Sequence, residues 1–482
     1  MGQTTLRVLG LLLMLLSLMM IPPIFVEAFY QDGYALIYHL SFVATFGLGF
    51  LLWFFFRHAC QPLRTHDGFF LVVLFWLVAS LVGMLPFALS LYPKLSFTNA
   101  FFEAVSGITS TGATILTQID GLPHSFIFYR QQLQFLGGIG VIILAVAILP
   151  TLGIGGMQLY RNEISGPVKD NKLTPRIAHT AKAIWMIYVA LALLCIILYW
   201  LAGMSFFDAI CFSFSTVATG GFAPHNSSIG YFESTNIRII AIVFMLLGAM
   251  SFNLHFIAFR SHSLKAYKED PELRHYLKIL FLAVIITWIA LVGFSQQKQE
   301  PLLWLNAFFE VISFATTTGL SATDISFWPI FILLGLCFLG LMGGCAGSTS
   351  GGLKVLRVLL LQMQGKREVF KLIHPHGQVV VKLGNKPISP RLMEAIWGFF
   401  SIYFVVFTLL FLLLLISEHD FLTLYSALIC TLSNTGRGLG NVINNYDYLS
   451  NYVKWILSFA MIAGRLEIFV ILVLLSPTFW RR

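Results

Sequence analysis

Phe97-Thr-Asn-Ala-Phe-Phe-Glu-Ala-Val-Ser-Gly-Ile-Thr-Ser-Thr-Gly112 is an apolar stretch that ends in hydroxyl residues and a glycine. It is too short to cross a bilayer, which takes about 20 residues; between two spans, such a run suits a re-entrant half-helix. Trp304-Leu-Asn-Ala-Phe-Phe-Glu-Val-Ile-Ser-Phe-Ala-Thr-Thr-Thr-Gly319 is a near copy. Phe206-Phe-Asp-Ala-Ile-Cys-Phe-Ser-Phe-Ser-Thr-Val-Ala-Thr-Gly220 and Leu424-Tyr-Ser-Ala-Leu-Ile-Cys-Thr-Leu-Ser-Asn-Thr-Gly436 are looser ones. Each opens on a polar residue followed by Ala (Asn99-Ala100, Asp208-Ala209, Asn306-Ala307, Ser426-Ala427) and closes on Thr-Gly. The Ala-to-Gly separations are 12, 11, 12 and 9 residues (100 to 112, 209 to 220, 307 to 319, 427 to 436), so the fourth copy is the most degenerate.

The composition around these segments belongs to lipid. Of 482 residues, 58% are hydrophobic and 11% charged, against about 45–50% and 25% in soluble domains. Spans are expected near 5–26, 35–56, 69–90, 124–150, 183–203, 236–258, 277–295, 328–363 (interrupted), 393–416 and 453–476. Arg7 followed by Val8–Val26, with Val26-Glu27-Ala28 behind it, resembles a signal peptide, but the run is long enough for a retained first span that Pro22-Pro23 kinks. The short segments lie near 97–107, 206–215, 303–313 and 421–431.

The net charge of +9 invites a nucleic-acid reading, which its distribution opposes. With both termini in the cytoplasm, Lys94, Arg130, Arg238, Lys298, Arg437 and Lys454 fall outside and Arg465 within a span. All other Lys and Arg fall on the cytoplasmic side, as the positive-inside rule requires. The basic loops 157–182, 260–278 and 354–391 are read first as that orientation signal and second as docking surfaces. Cys60, Cys195, Cys211, Cys337, Cys345 and Cys430 are scattered without ligand spacing, so neither zinc nor a disulfide framework is expected.

The expected architecture is an all-α polytopic membrane protein. Two leading helices (1–66) precede four units of span, half-helix, loop and span (67–160, 161–262, 263–385, 386–482) around a central pore. One Thr-Gly after a short apolar helix means little; four in register with the spans define a site. A dehydrated cation exchanges its water shell for oxygens, and carbonyls of four loops close a ring of them. Glycine lets the backbone aim successive carbonyls inward, threonine adds a hydroxyl, and each half-helix turns its negative end to the cation. The candidate filter residues are Ser110, Thr111 and Gly112; Thr219, Gly220 and Gly221; Thr318 and Gly319; and Asn434, Thr435 and Gly436.

Ser-Gly-Ile-Thr-Ser-Thr-Gly-Ala (106–113), Ala-Thr-Gly-Gly-Phe (218–222), Thr-Thr-Thr-Gly (316–319) and Asn-Thr-Gly-x-Gly-Leu-Gly (434–440) resemble the four filter loops of the Trk/Ktr/HKT superfamily. Gly343–Val355, Gly-Gly-Met-Gln-Leu-Tyr-Arg (155–161), Tyr129-Arg130-Gln131 and Gly-Arg-Leu-Glu (464–467) resemble its TrkH/TrkG branch. The resemblance covers nearly the whole chain. It implies potassium uptake across the bacterial inner membrane, with K⁺ as the transported ion at the filter and a gate below. It further implies a homodimer and a separate cytoplasmic TrkA-like subunit that binds NAD(H) and ATP/ADP. The chain itself has no P-loop and no G-x-G-x-x-G after a strand, so no nucleotide is expected on it. At 437 the branch has Pro where this chain has Arg437, either a cation at the pore mouth or an exposed side chain turned away. The latter is expected.

The gate candidates are Gly343, Gly344, Cys345, Ala346, Gly347, Ser348, Thr349, Ser350, Gly351 and Gly352. Glycines so dense unwind a helix, at about 1 kcal/mol each against alanine, though small residues in spans also serve close packing. Arg465 lies mid-span, where a charge is costly and signals function. It either pairs with a carboxylate or projects into the pore below the filter, where the resemblance places it. Glu467 is two residues on, a different helix face, so that local pair is disfavoured. Glu103 and Glu310 occupy matching places and are expected to anchor their half-helices rather than attract cations. His255 is expected to be a satisfied polar residue.

Two other classes compete. An intramembrane enzyme needs a nucleophile–base pair, paired carboxylates or a metal motif, and there is no H-E-x-x-H, G-x-S-x-G or aspartate pair. A proton- or sodium-coupled symporter commonly carries ionisable residues in broken helices; these loops are neutral, but coupling stays open as the alternative.

Overall fold

Large apolar side chains cover the outside as well as the core, and charged and polar ones are buried within. Phe25, Phe55, Phe281 and Phe404 are exposed, whereas Glu103, Arg130, Gln131 and Gln134 are fully buried. That inversion suits lipid as solvent, because polar groups find partners only inside the protein. The computed structural model describes residues 2–59, 65–143, 173–294, 302–375, 377, 380–384 and 386–480. The 155–161 motif, most of the 157–182 basic loop, residues 144–150 of the fourth expected span, Cys60, Arg64, Lys298, Arg481 and Arg482 lie outside the described residues.

The fold is all-α, with one short hairpin in which Lys382–Leu383 pairs antiparallel with Lys386–Pro387. Six described helices are long and apolar enough to cross a membrane: Gln3–Tyr30, Ala35–Phe56, Asp67–Leu89, Ala181–Leu201, Pro271–Phe294 and Pro390–Leu414. Helix His124–Ile143 stands in the place of the fourth expected span. The interrupted span is helix Ile330–Met342, an irregular segment, then helix Val355–Ile373.

The two leading helices cross closely. A Cβ on Gly10 would stand 2.6 Å from the Trp53 nitrogen, and one on Gly49 2.8 Å from the Met14 nitrogen. Small residues at a crossing let backbones approach where lipid supplies no hydrophobic drive. The kink expected at Pro22-Pro23 falls just before them, as a 3₁₀ turn over Leu18–Met20. Pro23 has no N–H to offer the Met19 carbonyl four residues back. The Gln132 side-chain amide donates to that carbonyl instead, at 2.9 Å.

Two spans read as continuous are broken. Helices Thr235–Ala249 and Phe252–Ser261 meet at 96°, and helices Asn451–Arg465 and Phe469–Leu475 at 110°. Arg465 is therefore not mid-span but the last residue before a bend. At the first bend the segment 343–352 takes up the backbone groups of the break; at the second, Glu467 and Ile468 adopt positive φ and end the helix locally.

The four half-helices are Phe97–Ile108, Phe206–Val217, Leu303–Ala315 and Phe421–Leu432. Ser96, Ser205 and Asp420 cap three of them, accepting from the N–H of Asn99, Asp208 and Thr423. Such a cap stabilises a helix by about 1 kcal/mol. The third begins without a side-chain cap.

Candidate functional site

The loops that follow the half-helices share one backbone. In each, a residue with left-handed φ is followed two positions later by a left-handed glycine. The pairs are Ser110 and Gly112, Thr219 and Gly221, Thr317 and Gly319, and Asn434 and Gly436, with φ of 50–56° at the first and 76–87° at the glycine. The residue between them donates its N–H back to the half-helix: Thr111 to Ser106, Gly220 to Ser215, Thr318 to Ser313 and Thr435 to Cys430, at 2.7–2.9 Å.

This common geometry corrects the register read from the sequence. Gly221, not Gly220, is the counterpart of Gly112, Gly319 and Gly436, so the second copy has the same 12-residue separation from Ala209. In the fourth copy the residue 12 before Gly436 is Leu424, and Thr423 rather than Ser426 matches Asn99. In the second copy the glycine was misread and the alanine holds; in the fourth the Ala cue misled, because cap-to-glycine length, not alanine, sets the register. Ser96, Ser205 and Asp420 each stand 16 residues before their glycine.

The loops close on one another. A Cβ on Gly112 would collide with the Gly220 carbonyl, on Gly221 with that of Thr318, on Gly319 with that of Thr435, and on Gly436 with that of Thr111. Loop one thus abuts loop two, two abuts three, three abuts four, and four returns to one. A side chain at any of these glycines meets both forbidden space and a left-handed φ that costs L-residues roughly 1–2 kcal/mol. All eleven candidate filter residues lie in this ring. Thr317, which the sequence reading omitted, completes it. Thr109 and Thr111 link hydroxyls at 2.7 Å, as do Thr316 and Thr318, and Ser433 and Thr435 do so at 2.9 Å.

A cavity of about 70 Å³ opens on one side of the ring, lined by all four glycines and by Arg130, His225 and Arg437. Glu103 and Glu310 stand behind the loops as anchors. Glu103 accepts from the Thr114 hydroxyl and Ile115 N–H, and Glu310 from the N–H of Ala322 and Thr323. Each also meets an arginine that the sequence reading did not assign to it. Arg130 lies 2.8 Å from Glu103, both fully buried, and Arg437 lies 2.6 Å from Glu310. Arg437 is not the exposed, turned-away side chain expected: it lines the cavity, only 9% of it is accessible, and its guanidinium is held by Glu310. Gln134 was also missed. Its amide donates to Gly220 O at 2.6 Å and accepts from Phe222 N–H at 3.1 Å. The available signal was the polar run Arg130, Gln131, Gln132 and Gln134 in an apolar span.

The segment 343–352 lies against the other side of the ring. The Thr349 hydroxyl donates to Val217 O and Gly248 O, and Thr219 donates its hydroxyl to Thr349. Ser350 donates its hydroxyl to Thr316 O, and Gly351 N–H donates to the Thr317 hydroxyl. Cys345 N–H and Thr349 N–H donate to Ala249 O and Gly248 O, and Phe252 N–H donates to Gly347 O. These bonds engage the backbone where the sixth span bends, and the break is the docking place of the segment. Glu272, unassigned in the sequence reading, holds Ala346 N–H at 2.7 Å.

Arg465 donates to Thr349 O at 2.8 Å. Its Nε and second terminal nitrogen have no acceptor among the described residues. Glu467 pairs with Arg357 at 2.5 Å rather than with Arg465, but not for the helix-face reason expected, since the helix ends at Arg465 and Glu467 lies beyond it. His255 is satisfied at both ring nitrogens, by the Tyr267 hydroxyl at 2.7 Å and Leu247 O at 2.9 Å. No group of three or more metal-ligating side chains occurs among the described residues.

Known proteins resemble this chain over nearly its whole length. The family model described as "TrkH: Cation transport protein" matches residues 38–482. The Trk system potassium uptake protein TrkH of Escherichia coli K12 is 47% identical over 98% of each chain. TrkG of the same strain is 40% identical over 98% of this chain and 97% of its own. The crystal structure of the potassium transporter TrkH from Vibrio parahaemolyticus superposes with a TM-score of 0.92 at 43% identity, covering 99% of both chains.

Proposed function

The chain belongs to the TrkH family of cation transport proteins, and from that premise we propose that it takes up potassium by passing the ion through the four-loop ring. It is a membrane transporter of the Trk potassium uptake type, not an enzyme. The observation that carries the reading is the closure of the ring: each loop's glycine is seated on a carbonyl of the next. Alternation of left-handed and ordinary φ turns successive carbonyls to one side, and four such loops offer the oxygens that replace a water shell. The half-helices add the negative ends of their dipoles on the same axis.

The segment 343–352 and Arg465 form the gate in this reading. The segment occupies the exit beneath loops two, three and four. Arg465 adds a positive charge with unused donors beside it, in a place where a cation must pass. Opening requires the segment to release Val217 O, Gly248 O and Thr316 O. The cavity side of the ring faces the periplasm of a bacterial inner membrane, and both termini face the cytoplasm. The basic surfaces 260–278 and 354–391 are the docking sites for a cytoplasmic TrkA-like subunit that binds NAD(H) and ATP/ADP, and the transporter works as a homodimer.

The test is uptake of radiolabelled rubidium into liposomes holding the purified protein, with K⁺ and Na⁺ as competitors. Block by K⁺ but little by Na⁺, lost in Gly319→Ser, is expected. Uptake that Gly319→Ser leaves intact and selective contradicts the reading.

A further inference from the structure

Of the basic residues placed on the cavity side of the ring, against the general bias of charge in this chain, four bridge the repeats: Arg130, Arg238, Arg437 and Lys454. Each bridges a different seam between adjacent repeats. Between repeats one and two, Arg130 binds Glu103 and lays its guanidinium over the Phe222 ring at 4.2 Å. Between two and three, Arg238 donates to the Asn306 side chain at 3.0 Å. Between three and four, Arg437 binds Glu310 and donates to Thr323 O at 3.2 Å. Between four and one, Lys454 donates to the Asn99 side chain at 3.0 Å. The positions are related in pairs. Arg238 and Lys454 are each the fourth residue of a span, and each reaches the polar residue before the repeated alanine in the next half-helix. Glu103 and Glu310 each stand nine residues before a ring glycine.

Arg437 departs from this pattern in one respect. The other three cations project from helices, whereas Arg437 is in the loop itself, directly after Gly436. The corresponding residues after the other ring glycines are Ala113, Phe222 and Leu320. Helix Ile330–Met342, the counterpart in the third repeat of the helix that carries Arg130, is wholly uncharged and offers Glu310 no cation. Glu310 is fully buried, and a buried carboxylate without a cation is strongly disfavoured.

We infer that Arg437 is a positioning residue for ion selectivity, fixing the fourth loop to the third repeat through Glu310 and Thr323 and so holding the spacing of the carbonyl ring. The guanidinium fork suits this task, since one nitrogen meets the carboxylate while another reaches a backbone carbonyl. Because its charge is matched by Glu310 at contact distance, Arg437 does not act as a barrier to cations at the mouth.

The inference rests on the filter reading and is tested by the K⁺/Na⁺ preference in the liposome assay, a ratio that loss of protein or a lower yield does not change. Arg437→Met is expected to lower that preference by about tenfold. Arg437→Lys, which keeps the charge but not the fork, is expected to fall between Met and wild type. Glu310→Gln is expected to lower the preference too, and the double variant to lose less than the two singles combined, since both remove one interaction. If Arg437→Met does not fold, the Lys and Gln variants carry the test. A wild type without K⁺ preference sinks the filter reading and this inference with it. A selective wild type whose Arg437→Met, or whose Arg437→Lys and Glu310→Gln, keep full preference sinks this inference alone, and a faster but equally selective Arg437→Met would make Arg437 a charge barrier instead.

Discussion

At the scale of single residues, Thr349 connects the ring to the segment beneath it. Its hydroxyl serves Val217, Gly248 and Thr219, its N–H serves Gly248, and its carbonyl receives Arg465. Thr349→Val keeps the shape and removes the hydroxyl. A net loss of about 0.5–1.5 kcal/mol per buried hydrogen bond shifts the segment toward release, and uptake is expected to rise by roughly two- to tenfold. An unchanged initial rate in the same liposomes would show that the segment does not limit passage. The residues of the ring were legible in the sequence because glycine after a hydroxyl residue recurs four times. Their register was not: in the second copy Gly220 stands beside the true ring glycine Gly221, and in the fourth Ala427 is an ordinary buried helix residue that happens to follow a polar one. Arg437's partner was illegible for a different reason: Glu310 lies 127 residues away, and only the closed ring brings them together.

At the scale of elements, the half-helices and long spans follow from length and apolarity, so their places were readable. The bends after Ala249 and Arg465 were not, since the apolar runs continue through them. Hydrogen bonds from 343–352 override the local helical preference at the first bend. A second contact between elements carries a pH dependence. His225, in the connection between the second half-helix and its span, meets Asp120 of the first repeat at 3.0 Å and Asp208 at 3.1 Å through its two ring nitrogens. It stacks on Tyr231 at 3.8 Å. Burial pulls its pKa down, but hydrogen bonds and charge from Asp208 and Asp120 outweigh that, and the net shift is upward. A His pKa raised by folding contributes stability that is complete below the unfolded value of about 6.5. That contribution disappears as pH rises through the higher folded value. The thermal midpoint of the detergent-solubilised protein is therefore expected to fall as pH rises through that window, and the fall is expected to be smaller in His225→Gln. An equal slope in both proteins would remove His225 as the cause.

For the whole molecule, four copies of one unit share the work of a single site: none of the loops is a ring alone, and each glycine requires its neighbour's carbonyl. Side-chain bridges at all four seams then hold the copies in place, while 343–352 touches three of the four loops from the opposite side. In the proposed filter, selectivity belongs to that assembly and not to any one residue. The most direct measurement is the anomalous scattering of rubidium in crystals of the intact protein. A peak on the ring axis, within coordination distance of carbonyls from all four loops at 110–112, 219–221, 317–319 and 434–436, is expected. A protein that transports rubidium yet shows no ion there, or holds it against fewer than all four loops, would contradict the four-loop filter.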